Sequence, residues 1–125
     1  MKILIVGLGN QGKKRINYLD QKLFYASFDP FNKNADFQKL DKIPLDKFDS
    51  VFICTPDEEK YELIKYFLNK KKNTFVEKPL NLGKRKINHL YRLANLNKCI
   101  LYTAYNHRFE PNIIRLKKDL KVKKN

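Results

Sequence analysis

The sequence predicts an α/β fold, a doubly wound parallel sheet with strand order 3-2-1-4-5-6, from three observations. An apolar run from Lys2 to Val6 passes directly into Gly7-Leu8-Gly9-Asn10-Gln11-Gly12 and then into a helical pattern. Strand-like runs then alternate with segments of 3.6-residue periodicity along the rest of the chain. Val51-Phe52-Ile53-Cys54 is apolar at every position, as expected of a strand covered on both faces.

The first strand and its glycines point to a ligand as well as a fold. Gly7 suits the tight turn out of the strand, Gly9 lets backbone approach a pyrophosphate, and Gly12 lets the following helix pack closely. Asn10 and Gln11 stand at the positive end of that helix, where an anion rests favourably. The helix is expected from about Asn10 to Lys22, with Ile16, Leu19 and Leu23 facing the sheet. Lys13, Lys14 and Arg15 crowd its first turn, where cations oppose the helix dipole unless an anion is bound; the abundance of lysine throughout is the competing explanation.

The second strand, Leu23 to Phe28, ends in Asp29, about 20 residues beyond the glycines, where a carboxylate accepts hydrogen bonds from the ribose hydroxyls of a dinucleotide. Asp29 also suits a turn with Pro30, and the two roles are compatible. Its charge repels a 2′-phosphate and so favours NAD over NADP, with Lys33 as the opposing sign. From Asp29 to Phe48 the pattern weakens, allowing a short helix at Asn32 to Phe37 and a short edge strand at Leu40 to Ile43 before Pro44.

Thr55-Pro56 ends the fourth strand. A helix from about Asp57 to Lys70 carries acids in its first turn and lysines in its last, with Tyr61, Ile64, Tyr66, Phe67 and Leu68 as apolar surface. The fifth strand, Thr74 to Val76, runs into Glu77-Lys78-Pro79. A helix from Gly83 to Asn97 is expected to bury Ile87, Leu90, Tyr91 and Ala94, the sixth strand is Cys99 to Tyr105, and Pro111 opens a last helix. Ligands of such sheets lie beyond the carboxyl ends of the strands, so the glycines, Asp29, Thr55-Pro56, Glu77-Lys78-Pro79 and Asn106-His107-Arg108 are expected along one rim.

Length and charge bound the alternatives. The 125 residues suit one dinucleotide-binding domain, 1–121, followed by a basic tail, 122–125. A net charge of +14 invites a nucleic-acid reading, but the 27 cations are scattered rather than gathered with aromatics on one face. Non-specific polyanion binding at low salt is expected, and specific nucleic-acid recognition is not. No apolar stretch reaches the roughly 18 residues of a membrane helix. With no signal-peptide pattern at the start, a cytoplasmic protein without a membrane partner is expected. Cys54 and Cys99 lack C-x-x-C or histidine-rich spacing, so the expectation is reduced, packed thiols and no metal.

Taken in order, Gly7-Leu8-Gly9-x-x-Gly12, Cys54-Thr55-Pro56, Val76-Glu77-Lys78-Pro79-Leu80 and Tyr105-Asn106-His107-Arg108-Phe109-x-Pro111 resemble the Gfo/Idh/MocA oxidoreductases, the glucose-fructose oxidoreductase and inositol dehydrogenase family. The resemblance spans the chain and implies an NAD(P)-binding Rossmann domain. It implies that Glu77 contacts the nicotinamide ribose side, that Lys78 sits beside the nicotinamide and the reacting hydroxyl, and that Lys78-Pro79 is a cis peptide. Thr55 and Pro56 would then line the cofactor groove, with Asn106 and Arg108 on the substrate rim. An ammonium at Lys78 would stabilise a developing alkoxide as hydride leaves; the competing reading is a lysine that only solvates the strand end.

The implied substrate is a sugar, cyclitol or nucleotide-sugar alcohol. Two departures stand out. Members usually carry a histidine a few residues after Thr-Pro, where this chain has Lys60, and they continue into a second domain that supplies the catalytic base and mediates oligomerisation. Little turnover is therefore expected from these residues alone, and His107 reads as a rim histidine rather than a base. A free-standing dinucleotide-binding or sensing module remains open, as does a basic interaction protein with an incidental glycine motif.

Overall fold

A computed structural model of the chain describes residues 1–122, so the end of the basic tail, Lys123 to Asn125, lies outside the described residues. Strands β1 (Ile3–Val6), β2 (Phe24–Phe28), β3 (Ser50–Ile53), β4 (Asn73–Val76) and β5 (Leu101–Thr103) form one sheet in the order β2-β1-β3-β4-β5. Every pairing is parallel. Helices α1 (Asn10–Tyr18), α2 (Asp57–Asn69), α3 (Lys84–Leu96) and α4 (Pro111–Val122) connect or follow the strands.

β1 is buried at all four positions, as its unbroken apolar sequence requires of a strand with neighbours on both sides and cover on both faces. Ile64, Phe67 and Leu68 of α2 and Leu90 and Ala94 of α3 are fully or almost fully buried and join Val51, Ile53 and Val76 in the core. Tyr91, expected inside, is 44% exposed. It stands about 100° around the helix from Leu90, and the half-buried Leu93 packs against the core instead.

The expected edge strand at Leu40 to Ile43 is absent: Leu40–Lys42 is a single 3-10 turn, and the sheet order is the expected one without that strand. One residue takes its place. Phe37 N–H donates to the Ser27 carbonyl at 3.0 Å, and Asp29 N–H donates to the Phe37 carbonyl at 3.0 Å. Beside this bridge the Asp36 carboxylate accepts from the Ser27 N–H at 2.8 Å and the Ser27 hydroxyl at 2.7 Å. A side chain thus satisfies the β2 edge where a full strand would otherwise supply the partners.

Two helix expectations also change for local reasons. Asn32 to Phe37 forms turns, with the Asn32 side chain accepting from Asn34 N–H at 3.0 Å in the manner of an Asx turn. α1 stops at Tyr18 rather than Lys22, because Leu19 is extended and Asp20 accepts from Lys22 N–H through its side chain and from Leu23 N–H through its carbonyl.

Candidate functional site

The sheet register assembles the site. Val6 pairs with Phe28 and Ile53, Ile53 with Val76, and Val76 with Thr103. The residues that follow these, Gly7, Asp29, Cys54, Glu77 and Ala104, therefore stand side by side along one edge of the sheet. Clusters separated by up to about 100 residues of chain meet because every strand runs the same way.

The three loop glycines have different physical reasons. Gly7 has φ of +92°, and a Cβ there would stand 3.0 to 3.1 Å from Thr55 and the Cys54 backbone. Gly12 is buried at the start of α1, and its Cβ would lie 1.9 Å from the Gly7 carbonyl oxygen. Close packing at Gly12 is thus against the loop itself. Gly9 differs from both: nothing lies within 4 Å of a Cβ built on it, so a side chain would extend into open space over the loop.

That space belongs to a groove of about 660 Å³ bordered by Gly7, Gly9, Asn10, Gln11, Asp29, Thr55 and Pro56, with α2 as the opposite wall. Asp29 holds one end. One carboxylate oxygen accepts from Leu8 N–H at 2.9 Å and the other from Phe31 N–H at 2.9 Å. A carboxylate accepts about four hydrogen bonds, so two sites remain for hydroxyl donors. Thr55 Oγ1 is buried without a partner. Bare amides at the amino end of a helix, an anchored carboxylate and an orphaned hydroxyl are the groups that a dinucleotide's diphosphate and ribose need, so the residues present fit that cofactor.

The charge of the groove opposes that of the chain. Asp29, Glu58, Glu59 and Glu62 line it, and among the described residues no lysine or arginine does. Lys33 is not among the lining residues, and neither are Lys13 and Lys14. Phe31, left without a role by the sequence reading, borders the groove at 87% exposure. A large aromatic one residue beyond Asp29-Pro30 is the signal that would have found it.

The Glu77-Lys78-Pro79 turn lies along the same edge outside this groove. Glu77 is buried and its carboxylate is engaged by the Arg15 guanidinium, which also lies 5.2 Å from the centre of the Phe75 ring. Arg15 thus serves a carboxylate of the chain. Lys78 is exposed and the Lys78-Pro79 bond is cis. Lys60, at the place of the expected histidine, is buried and donates to the Pro79 carbonyl and to Asp57. Burial, with Glu77 adding to it, pushes the Cys54 thiol up to about 12, so it remains protonated and is a poor nucleophile.

Asn106 and Arg108 stand on an exposed 3-10 turn after β5, with the Arg108 guanidinium 5.4 Å from the Tyr102 ring centre. His107 is exposed and its Nδ1 lies 2.6 Å from Glu110. Among the described residues no group of His, Cys, Asp and Glu has the arrangement of a metal site, and no helix is long and apolar enough to cross a membrane.

The family model described as an oxidoreductase family with an NAD-binding Rossmann fold, Gfo/Idh/MocA, matches residues 20–105. The match begins after the glycine loop, so the loop is a separate support. Myo-inositol 2-dehydrogenase of Thermotoga maritima is 26% identical over 132 residues, covering 94% of this chain and 40% of that protein. Inositol 2-dehydrogenase of Rhizobium meliloti is 31% identical over 70 residues, 56% of this chain and 21% of that one. The chain therefore spans two-fifths or less of the length of either relative.

The solved scyllo-inositol dehydrogenase of Lactobacillus casei superposes with a TM-score of 0.73 at 25% identity, over 98% of this chain and 41% of that one. UDP-N-acetylglucosamine 3-dehydrogenase of Acidithiobacillus ferrooxidans gives a TM-score of 0.79 at 20% identity, over 95% and 43%, a likeness of fold. With its family match covering more than half the chain, the chain belongs to the Gfo/Idh/MocA oxidoreductase family through its NAD-binding Rossmann fold.

Proposed function

We propose that residues 1–121 form the NAD-binding domain of a dehydrogenase acting on a ring hydroxyl of a cyclitol, sugar or nucleotide sugar. The observation that carries the cofactor assignment is the groove itself, whose lining includes open backbone at Gly9 and a carboxylate fixed at Asp29. Gly7, Gly9, Asn10, Gln11 and Gly12 form the diphosphate loop, and Asp29 takes the ribose hydroxyls. Thr55, Pro56 and Glu77 continue the cradle toward Lys78. Four carboxylates and no cation among the lining residues support NAD over NADP, because a 2′-phosphate would meet only like charge.

Bound there, NAD supplies the hydride acceptor for oxidation of a carbinol carbon. Lys78 serves as the catalytic cation, stabilising negative charge on the reacting oxygen as the hydroxyl proton passes to a base that the family resemblance places in a second domain. Asn106 and Arg108 flank the substrate side. The names of the inositol dehydrogenases among the relatives support the cyclitol end of that substrate class. Exposure of Lys78, Asn106 and Arg108 supports a corollary: these residues alone bind cofactor and turn over little, as a binding or sensing module does, because water reaches the reacting centre.

Titration of the purified chain with NADH, followed by nicotinamide fluorescence, tests the assignment. Saturable binding displaced by ADP-ribose is expected, with NADPH weaker by about tenfold or more, the equivalent of one lost favourable interaction. No saturation, or equal affinity for NADPH, would overturn respectively the groove and its charge argument.

A further inference from the structure

An ammonium is seldom found inside a protein unless it is paired and hydrogen-bonded. The Lys60 side chain is 3% exposed, in the first half of α2. It donates to Asp57 Oδ1, one turn earlier, at 2.8 Å, and to the carbonyl of Pro79, a residue 19 positions further along the chain. The first bond stays within its own helix. The second crosses to the turn that carries Lys78.

On the other side of Lys78, Glu77 is tied to Arg15 of α1. Both neighbours of Lys78 are thus fixed by cations from different helices, while Lys78 itself is exposed. Nothing in the core requires a charge at Lys60: Ile64, Phe67 and Leu68 follow it as a fully buried apolar face. An apolar side chain at this position would pack with them and leave the Pro79 carbonyl without its donor. Keeping a charge here is costly for stability alone, since buried ion pairs rarely outperform apolar replacements.

We propose that Lys60 is a positioning residue, whose ammonium pins the Pro79 carbonyl to the first turn of α2 and so sets where Lys78 stands beside the nicotinamide side of the groove. The inference rests on the assignment of Lys78 made above. It also accounts for the departure seen in the sequence: a side chain with three donors bridges helix and turn where a ring would offer at most two.

Affinities for NADH and for ADP-ribose, which lacks the nicotinamide, are measured on the full chain and on Lys60→Met, Lys60→Gln and Lys60→His. Labelling of Lys78 by pyridoxal phosphate and borohydride, located by peptide mass, is followed with and without NADH. Lys60→Met is expected to hold ADP-ribose within about twofold of the parent while losing about fivefold or more in NADH affinity, a single hydrogen bond's worth of placement. NADH should then no longer protect Lys78 from labelling, and Lys60→His, which restores a donor, should recover part of both.

Lys60→Gln, with a shorter uncharged side chain, is read in the same way should the methionine variant not fold. Equal losses for both ligands, or an unchanged ratio with Lys78 still protected, would overturn the positioning role. Were the parent chain itself to bind NADH no better than ADP-ribose, with Lys78 labelled alike in both states, the role of Lys78 would fall first.

Discussion

Two stretches of one sheet edge are built by opposite means. The glycine loop works through atoms left out: a positive φ at Gly7, a close contact at Gly12 and open space at Gly9. The Glu77-Lys78-Pro79 turn works through charges brought in, with Arg15 on Glu77 and Lys60 on Pro79. The first arrangement is written in six consecutive residues, although Gly7 also owes its missing side chain to Thr55 and the Cys54 backbone. The second depends on partners 62 and 19 residues away, so its geometry can be lost by changes far from it in sequence.

The largest effect is expected within the loop, where two glycines that look alike in sequence should respond differently. Gly12→Ala places a Cβ 1.9 Å from a backbone oxygen that cannot swing aside. Urea unfolding should show a loss of about 3 kcal/mol, at the upper end of overpacking costs. Gly9→Val meets no protein atom within 4 Å of its Cβ, and its backbone is already in the extended range at φ of −68°. Its unfolding midpoint should stay within about 0.5 kcal/mol of the parent while NADH affinity falls about thirtyfold. If the two variants lost stability equally, the distinction between a packing glycine and a ligand-facing one would disappear.

That distinction marks how much of the molecule could be read in advance. The strand-loop-helix junction, Asp29 and the alternation of strands and helices are encoded by neighbours in sequence, and the parallel register then places the distant clusters on one edge. The missing edge strand was not legible, because Phe37 pairs with β2 through backbone and Asp36 satisfies Ser27 from a turn with no strand pattern. Arg15 reads in sequence only as one of three cations near the start of α1, with a bound anion or the general abundance of basic residues as alternatives, because its partner is not visible there. Its partner Glu77 lies three strands of the chain later. Lys60 stands out in sequence only as a departure from the histidine usual at its place, and only packing reveals that its ammonium is inside.

A smaller effect separates the two anchors of the turn. The Glu77 side chain is 8% exposed, whereas the Arg15 side chain is 30% exposed and able to recover water. Glu77→Gln should therefore cost about 1 to 2 kcal/mol in urea unfolding, less than the loss on breaking a fully buried pair, because the guanidinium left behind is partly solvated. A loss as large as that of Gly12→Ala would mean that charge and close packing matter equally on the two sides of the edge.

The smallest effect concerns Cys54, which sits between the two regions. Its thiol is pushed from 9.0 to about 12, first by burial and then by the Glu77 carboxylate. Because the folded value is the higher one, the thiol's contribution to stability is fully present below pH 9 and declines as pH rises from 9 toward 12, where the unfolded chain loses its proton first. Comparing the parent with Cys54→Ala cancels the titration of the lysines common to both. Between pH 8 and pH 10 the parent should lose about 1 kcal/mol more than the variant, and iodoacetamide at pH 8 should leave Cys54 unmodified in the folded chain. A difference that stayed flat with pH, together with rapid alkylation, would mean that water and charge reach the thiol freely, and that the half-buried strand end Cys54 occupies does not shield the space between the glycine loop and the turn.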